Sequence, residues 1–315
     1  MKPPKKHGIN ATSIARQNNE QLEEICSWLW RVAVFPILQH LDLLDSHLRQ
    51  PKHICWVNSG YMGLMPLHAA GNHHDDSTDN TISHVTSSYA SSIRVLSYSA
   101  KAAAGIPSLH TDIVVVAMPS TPGGRHANLN VKEEVTTIVE LSHKQAQVFQ
   151  CSEKCDIVAA LRDCNVVHFA CHGFADPGDP SNSGLLVGNT DLETLTVREL
   201  ANLKRHPGSL AYLSACSTAE LAAHDLRDEN IHLASAFQMV GFRHVVGTLW
   251  SANDAAAVAV AEKFYAMLLN KERSDDAAFS RHSIASALHT ALLEIRDFHG
   301  HDSILFWGPF IHMGW

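Results

Sequence analysis

The sequence lacks the signatures of several large protein classes. No stretch of its 315 residues approaches the roughly 20 apolar residues of a membrane span. The basic start, Lys2 to Lys6, is broken by prolines and has no apolar core after it, so we expect no signal peptide. Neither G-x-x-x-x-G-K-[ST] nor G-x-G-x-x-G occurs, and there is no His-Glu-x-x-His. The familiar nucleotide-binding loops and the familiar zinc-peptidase motif are therefore missing.

Charge and cysteine usage narrow the class further. The chain has 24 basic and 32 acidic residues, a net charge of −8, which argues against a nucleic-acid-binding surface. Its seven cysteines are odd in number, scattered, and without a C-x-x-C pair. This pattern is typical of free thiols in a reducing compartment. We therefore expect a cytoplasmic protein with no nucleic-acid partner and no membrane.

Histidine, with 22 copies, is abundant enough to raise the question of a metal site. His73-His74-Asp75-Asp76 could supply ligands, but paired Cys/His spacing is absent. The motif lies in a Gly-, Asn-, Ser- and Thr-rich stretch, residues 71–88, which we interpret as a flexible loop, as we do residues 270–280. Solvated loop histidines are the alternative that we favour, and no metal or cofactor is expected.

The first third of the chain combines helical spacing with a short strand. Apolar residues recur at helical spacing from Glu20 to Leu48, interrupted near Pro36, because proline breaks a continuing helix. Ile54 to Val57 predicts a strand. The apolar segment Met62–Ala70 predicts the start of a helix around Pro66, and Ser91–Ala104 predicts a further helix.

A strand–helix alternation then continues to the C-terminus. Strands separated by helices of this length predict a mainly parallel sheet with right-handed crossovers, that is, an α/β fold. The predicted strands are Thr111–Met118, Ala146–Cys151, two runs ending at His172 and Cys216, His244–Trp250 and Phe306–His312. The predicted helices are Val131–Lys144, Cys155–Asp163, Glu229–Val240, Ala255–Leu269 and Ser280–Asp297.

Two of these apolar strands stop abruptly at reactive side chains. Val166–Gly173 delivers His172, and Leu210–Thr218 delivers Cys216, 44 positions later. Parallel strands present their carboxyl ends at one sheet edge, where ligands bind in open α/β sheets. Alone, Cys216 fits an inert core thiol and His172 a turn residue. Together they suggest a cysteine nucleophile with its base.

The neighbouring residues and the order of the pair refine this hypothesis. Gly173 allows close backbone approach, and the N–H groups of Gly173 and Cys216 could form an oxyanion hole. In α/β-hydrolases the nucleophile precedes the histidine within a G-x-S-x-G elbow, and papain-like enzymes also place the cysteine first. Histidine before cysteine on successive parallel strands indicates the caspase-like group.

The sequence resembles the CHAT domain family, whose members are relatives of caspases and separases, and within that family it resembles the fungal-type members. The resemblance covers the chain from about Leu22 to the C-terminus. Gly308 stands where the family more often has alanine. The motifs that carry the resemblance are Pro66–Gly71, His168–Gly173, Asp179–Ser183, Leu213–Cys216, Val245–Trp250 leading to Asp254, and Phe306–Phe310.

This resemblance implies a caspase-like three-layer α/β/α sandwich around a mainly parallel sheet, with an N-terminal pseudo-caspase-like half. Residues 1–18 would be a disordered N-terminus, 19–105 the pseudo-protease-like part and 106–315 the catalytic part. His172 would be the base and Cys216 the nucleophile. His168 and Cys171 belong to the motif without a catalytic role, and we expect them to be packed in the core.

The resemblance also implies a cytoplasmic cysteine endopeptidase that needs no cofactor. Its partners would be a protein or peptide substrate and a regulatory partner or activator. By family analogy it would act in programmed cell death or non-self recognition, on substrates such as gasdermin-like pore formers. A catalytically silent interaction module and a cysteine-dependent hydrolase of small esters are the alternatives.

Four acidic residues are candidates for binding a basic substrate residue, since a carboxylate pairs well with arginine. Asp254 comes first, because separases have an acidic residue in a similar motif. The alternative for Asp254 is an N-cap on a helix starting at Ala255. The other candidates are Asp176, Asp179 and Glu229. The loop Ala219–Asn230 is either a substrate or activation loop or a solvated acidic turn.

Overall fold

The computed structural model describes residues 11–44, 51–58, 60–74, 77–102, 112–124, 126–174, 176, 178–203, 208–214, 229–269, 281–299 and 303–314. The strands, in chain order, are β1 (Lys52–Val57), β2 (Val85–Ala90), β3 (Ile113–Ala117), β4 (Gln147–Gln150), β5 (Val166–Ala170), β6 (Gly173–Phe174), β7 (Gly184–Val187), β8 (Glu193–Thr196), β9 (Gly208–Leu213), β10 (Phe242–Thr248) and β11 (Phe310–Met313).

Eight of these strands form one mainly parallel sheet, in the order β1-β2-β11-β10-β9-β5-β3-β4. Strands β4, β3, β5, β9 and β10 run parallel to one another. Strand β11 is antiparallel to β10 and parallel to β2, and β2 is parallel to β1. The two N-terminal strands therefore complete the same sheet, but they run opposite to the central strands. The predicted α/β class with a mainly parallel sheet is confirmed.

Helices cover both faces of the sheet, giving three layers. The helices are α1 (Ala11–Leu29), α2 (Phe35–His40), α3 (Thr81–His84), α4 (Ile93–Ala102), α5 (Val131–Leu141), α6 (Lys154–Leu161), α7 (Val197–Asn202), α8 (Glu229–Met239), α9 (Asp254–Leu269), α10 (Arg281–His299) and α11 (Ile304–Trp307). None of the described helices is long and apolar enough to cross a membrane.

The central strands are buried on both faces, which explains their continuous apolar runs. In β3, for example, Val114 and Val116 pack with α6 and α8, while Ile113 and Val115 pack with α5, α9 and α10. Alternate side chains of a strand point to opposite faces. Each strand thus contributes to two separate cores, one under each helical layer.

The interruption predicted near Pro36 is a π-helical turn, Trp30–Val34, that joins α1 to α2. The N–H of Phe35 bonds the carbonyl of Trp30, five residues back. Proline has no N–H to donate to the preceding turn, so the helix loses one bond there and widens locally. Helix α1, this turn and α2 follow one another without a break in the chain.

A second, three-stranded antiparallel sheet (β6-β7-β8) follows β5 and was not predicted from the sequence. Its strands are two to four residues long, too short to show a period. It leads into α7, whose capping box joins Thr196 and Glu199. This small sheet holds the turn that begins at His172, because the carbonyl of His172 accepts from the N–H of Leu186 at 2.8 Å.

The prediction of a flexible loop over residues 71–88 is wrong for most of that stretch. Asn80 caps the short helix α3, and β2 follows with Thr86 and Ser88 buried. Ser88 tolerates burial because its hydroxyl lies 2.6 Å from a nitrogen of His53 and 2.6 Å from one of His312. These partners are 35 and 224 residues away in the sequence. The composition of the segment is typical of a loop, and it therefore did not indicate a core strand. Residues 75–76 and 270–280 lie outside the described residues.

Three other boundaries differ from the sequence prediction. The predicted strand Phe306–His312 starts only at Phe310, after the helical turn α11. The helix predicted to start around Pro66 is only a 3₁₀ turn, Leu67–Ala69, preceded by another 3₁₀ turn, Gly60–Leu64. Helix α1 begins at Ala11, within the segment expected to be disordered. The division at residue 105 stays a prediction, although one sheet spans both parts.

Candidate functional site

His172 lies just beyond the carboxyl end of β5 and is 4% exposed. Its Nε2 is 2.7 Å from the carbonyl oxygen of Ala127, in the connection between β3 and α5. A carbonyl only accepts, so Nε2 must carry the proton. In the neutral ring, Nδ1 is then the basic nitrogen. This hydrogen bond selects the tautomer and orients an imidazole that can act as a base.

The end of β9 lies beside the end of β5, as the order of the motifs suggested. Phe169 pairs in parallel with Leu213, and the Ser214 N–H bonds the Phe169 carbonyl at 2.9 Å. Cys216 follows two residues after Ser214 but lies outside the described residues. Strand β9 therefore ends at the sheet edge that holds His172. The dyad itself stays a prediction.

Gly173 has a backbone geometry suited to its predicted role in an oxyanion hole. It pairs with Leu185 in the antiparallel sheet, while the Leu186 N–H bonds the carbonyl of the preceding residue, His172. Hydrogen-bonded and non-hydrogen-bonded pairs alternate along such a ladder. The Gly173–Leu185 pair is therefore of the second kind, and the Gly173 N–H points away from β7. The other predicted donor, the N–H of Cys216, lies outside the described residues.

The two acidic residues of the β6–β7 loop are occupied within the loop. The N–H groups of Gly178 and Asp179 and the amide of Asn182 donate to the Asp176 carboxylate, and the two backbone bonds lower its pKa most. Asp179 accepts from Ser181 and lies 2.6 Å from an Arg198 guanidinium nitrogen on α7. Both carboxylates organise the loop, and Asp179 also attaches it to α7. Their predicted role in substrate binding stays a prediction.

Asp254 is the first residue of α9 and its side chain is exposed. Asn253 makes the capping bond, accepting from the Ala255 N–H at 2.8 Å, so the alternative that Asp254 is the N-cap is wrong. Asp254 accepts a long bond, 3.5 Å, from the N–H of Asn130. Asn130 follows the Ala127 segment, so Asp254 lies at the same edge as His172. Its role in a substrate pocket stays a prediction.

Three polar groups at the end of β10 have no hydrogen-bond partner within the described part of the chain: Thr248 Oγ1, Trp250 Nε1 and Ser251 Oγ. Buried polar atoms are normally satisfied, so such a cluster can accept or donate bonds to a ligand. Glu229 begins α8, after the undescribed residues 215–228, and its side chain also lies outside the described residues. No group of three His, Cys, Asp or Glu side chains that could hold a metal ion occurs among the described residues.

A buried acidic network that the sequence did not lead us to expect lies behind this edge. Glu134, on α5, is 3% exposed and accepts a hydrogen bond from the hydroxyl of Ser214. Its carboxylate oxygen lies 3.2 Å from Nε2 of His168, which is fully buried. The signal was present in the sequence, because Glu134 interrupts the apolar stripe of Val131 and Ile138. His168 and Cys171 are buried, as predicted from the motif.

The sequence matches the CHAT domain family over residues 23–315. A search of curated proteins gave no match. Among solved structures, the fold is similar to RgpB of Porphyromonas gingivalis, in the complex of its pro- and mature domains (TM-score 0.55, 9% identity), covering 95% of this chain and 76% of that one. RgpB is described as an Arg-specific cysteine proteinase, gingipain R.

A second similar structure is Saccharomyces cerevisiae separase in its complex with securin, with a TM-score of 0.51 and 13% identity. The match covers 83% of this chain but 15% of the separase chain. At such low identities these neighbours define the fold alone. It is the fold of caspase-like peptidases.

Proposed function

The chain belongs to the CHAT domain family, and from this premise we propose that it is a cysteine endopeptidase with His172 as base and Cys216 as nucleophile. The observation that carries the proposal is the bond from His172 Nε2 to the Ala127 carbonyl. A histidine that only filled a turn would not need its tautomer fixed at the carboxyl edge of the sheet. Ser214, two positions before the cysteine, directly follows the adjacent strand β9, and its N–H bonds the Phe169 carbonyl of β5.

The chemistry follows from these positions. The Cys216 thiolate attacks the scissile carbonyl, and the N–H groups of Gly173 and Cys216 stabilise the oxyanion. As the C–N bond breaks, protonated His172 gives the proton on Nδ1 to the leaving amine. Water then attacks the thioester, His172 takes its proton, and the acid and the thiolate are released. Throughout, the Ala127 carbonyl holds Nε2–H and stabilises the imidazolium.

The proposed substrate is a protein or peptide with a basic residue before the cleaved bond, bound by Asp254 at the sheet edge. The groups of Thr248, Trp250 and Ser251 that have no hydrogen-bond partner among the described residues support a peptide ligand, because an extended backbone offers both donors and acceptors. We further propose a regulatory protein partner, a cytoplasmic location and a role in programmed cell death or non-self recognition. The described cysteines form no disulfide, in keeping with a reducing compartment.

Profiling with a peptide library tests this proposal. We expect the wild-type protein to cleave peptides, and Cys216→Ala and His172→Ala each to abolish cleavage with unchanged circular dichroism. Without His172 the thiol would titrate near its ordinary pKa of about 8.5 and be mostly protonated at neutral pH. Cys155→Ala, at an exposed cysteine, is the matched control and should retain full activity. Substantial cleavage by Cys216→Ala would rule out the assignment.

A further inference from the structure

Helix α5 carries a carboxylate at a position where its pattern calls for an apolar side chain. Val131, Glu134 and Ile138 form the buried stripe of the helix, spaced at three and four residues. Removing a charged carboxylate from water costs several kcal/mol unless it is paired and hydrogen-bonded. Its neighbour Glu133 is exposed to solvent, so of these two acidic residues only Glu134 is buried.

Glu134 is compensated by two groups that belong to the two strands at the candidate site. The Ser214 hydroxyl, at the end of β9, donates to Oε1, and His168 Nε2, on β5, lies 3.2 Å from the same oxygen. The other ring nitrogen of His168 is 3.2 Å from the hydroxyl of Tyr265 on α9. Burial and then the charge of Glu134 raise the pKa of Tyr265, which keeps its hydroxyl protonated. Helix α5 is thus hydrogen-bonded to the residue that ends β9, and its buried carboxylate lies beside His168 of β5.

Ser214 is held in two directions, and this fixes the chain just before the nucleophile. Its N–H bonds Phe169 on β5 and its hydroxyl bonds Glu134. The segment that carries Glu134 also holds the base, since Ala127, seven residues earlier, accepts from His172. One short stretch of chain, residues 127–134, therefore contacts the ends of both strands. A shift of about 1 Å between reacting groups can cost about a hundredfold in rate.

We propose that Glu134 is a positioning residue, which holds Ser214 so that Cys216 is presented to the base. This inference rests on the proposed function. The carboxylate touches neither the substrate nor the reacting atoms. It sets the exit of β9 relative to Ala127, and Ala127 in turn sets the orientation of His172.

A double-mutant cycle on Glu134→Gln and Ser214→Ala tests the proposal. We expect each variant to lower kcat by at least about tenfold with KM within about twofold, because binding groups are untouched and only alignment is lost. The double variant should be no slower than the worse single variant, since both changes act on the same hydrogen bond: Glu134→Gln removes the charge of its acceptor and Ser214→Ala removes its donor. Glu133→Gln, at the exposed neighbour, is the matched control. Additive effects, or wild-type kcat in both single variants, would overturn the proposal.

The alkylation rate of Cys216 by iodoacetamide, followed by peptide mass spectrometry over a pH series, is a readout that needs no peptidase activity. We expect Glu134→Gln and Ser214→Ala to slow labelling of Cys216 at neutral pH and to move its midpoint to higher pH, as the thiolate loses the nearby imidazole. Buried Cys26 and Cys164 report unfolding, because faster labelling there marks a merely structural defect.

The two readouts separate the two hypotheses. If the wild type cleaves no peptide but Cys216 labelling shifts in both variants, the proposed function fails and the positioning role of Glu134 stands. If the wild type cleaves and neither kcat nor labelling changes, the positioning role fails and the function stands. Should Glu134→Gln not fold, Ser214→Ala decides alone, because it removes only the hydroxyl.

Discussion

At the scale of single residues, the polar side chains of the site differ in how much of their hydrogen-bonding capacity is already used. His172 has its tautomer set by one carbonyl, whereas Asp176 and Asp179 use their carboxylates within their own loop. Asp254 is different, because its exposed carboxylate makes only one long bond among the contacts described. Among the three candidate acids whose side chains the structure describes, Asp254 therefore has the most hydrogen-bonding capacity left for a ligand.

Asp254→Asn should reduce the preference for arginine or lysine before the cleaved bond. Because the carboxylate is exposed, we expect a modest change, up to about fivefold in relative kcat/KM. The melting temperature should stay within a degree or so, since Asn253 makes the cap. The control Asn253→Ala should do the opposite, losing about 1 kcal/mol of stability without changing the preference. A wild-type profile that prefers apolar or acidic residues would contradict the role of Asp254.

At the scale of elements, short connections determine how helices and strands meet. The C-terminal helical turn α11 leads through Gly308 into β11, and the Gly308 carbonyl lies 3.0 Å from Nε2 of buried His68. A Cβ at Gly308 would come within 2.6 Å of the Ile304 carbonyl oxygen and 2.8 Å of its side chain. The turn therefore has no room for a Cβ at this position.

Gly308→Ala should therefore destabilise the fold. We expect a loss of about 1–3 kcal/mol, since the turn must open to accept the methyl group and would strain its bond to His68. Gly247→Ala is the control, because a Cβ there meets no atom within 4 Å. Urea unfolding of the two variants measures the difference. Equal midpoints for Gly308→Ala and the wild type would show that the turn relaxes freely.

At the scale of the whole molecule, buried histidines link stability to pH. Burial lowers the pKa of His68 to about 4, of His289 to about 4 and of His244 to about 3, and the pKa of His312 falls well below its usual value. His244 and His312 also bond each other at 2.9 Å, in a chain that continues through Ser88. All four imidazoles are neutral in the folded protein at neutral pH.

Acid should therefore unfold the protein before its carboxylates titrate. Below pH 6.5 these histidines bind protons in the unfolded chain but stay neutral in the folded chain. Their contribution to the free energy of unfolding is therefore complete above pH 6.5 and declines below it. Each histidine can contribute about 1.4 kcal/mol per pH unit until its folded pKa is reached. Urea unfolding at pH 7.5, 6 and 5 measures how steeply the free energy of unfolding depends on pH. His289→Leu should reduce this slope by about 1.4 kcal/mol per pH unit, the contribution of one proton. Equal stability at pH 7.5 and 5 would contradict the prediction.

The N-terminal part should be indispensable to the fold. Removing residues 1–105 would delete β1 and β2 and uncover the edge of β11, which pairs with β2 at Met313–Tyr89. It would also expose core residues that Leu29, Val34 and Trp56 now cover, at roughly 1.5–3 kcal/mol for each large side chain. Over the eight large buried side chains that the N-terminal part contributes to this core, the loss is about 12–24 kcal/mol, comparable with or above a typical stability margin of about 5–15 kcal/mol. These side chains are Leu29, Trp30, Val34, Leu38, Trp56, Leu67, Val85 and Tyr89.

Expression of fragment 106–315 tests this, with fragment 19–315 as the control. The control should fold, because Arg16, Gln17 and Asn18 are exposed, while Asn19, which bonds Leu305, is retained. Fragment 106–315 should be insoluble or melt without cooperativity. If it melted cooperatively at the full-length temperature, the N-terminal part would be an independent addition.

The sequence by itself determined the α/β class, the order of the central strands and helices and the edge where His172 lies. These features are encoded locally, since a run of apolar residues that ends in a polar turn specifies a buried strand whatever its partners are. Tertiary structure alone decided that β2 is a core strand, that β11 reverses direction, and that Glu134 is buried. Each depends on partners distant in sequence, as Ser88 on His312 or Glu134 on Ser214. A polar side chain is stable in a core only when such a partner is present, and no local pattern records where that partner lies.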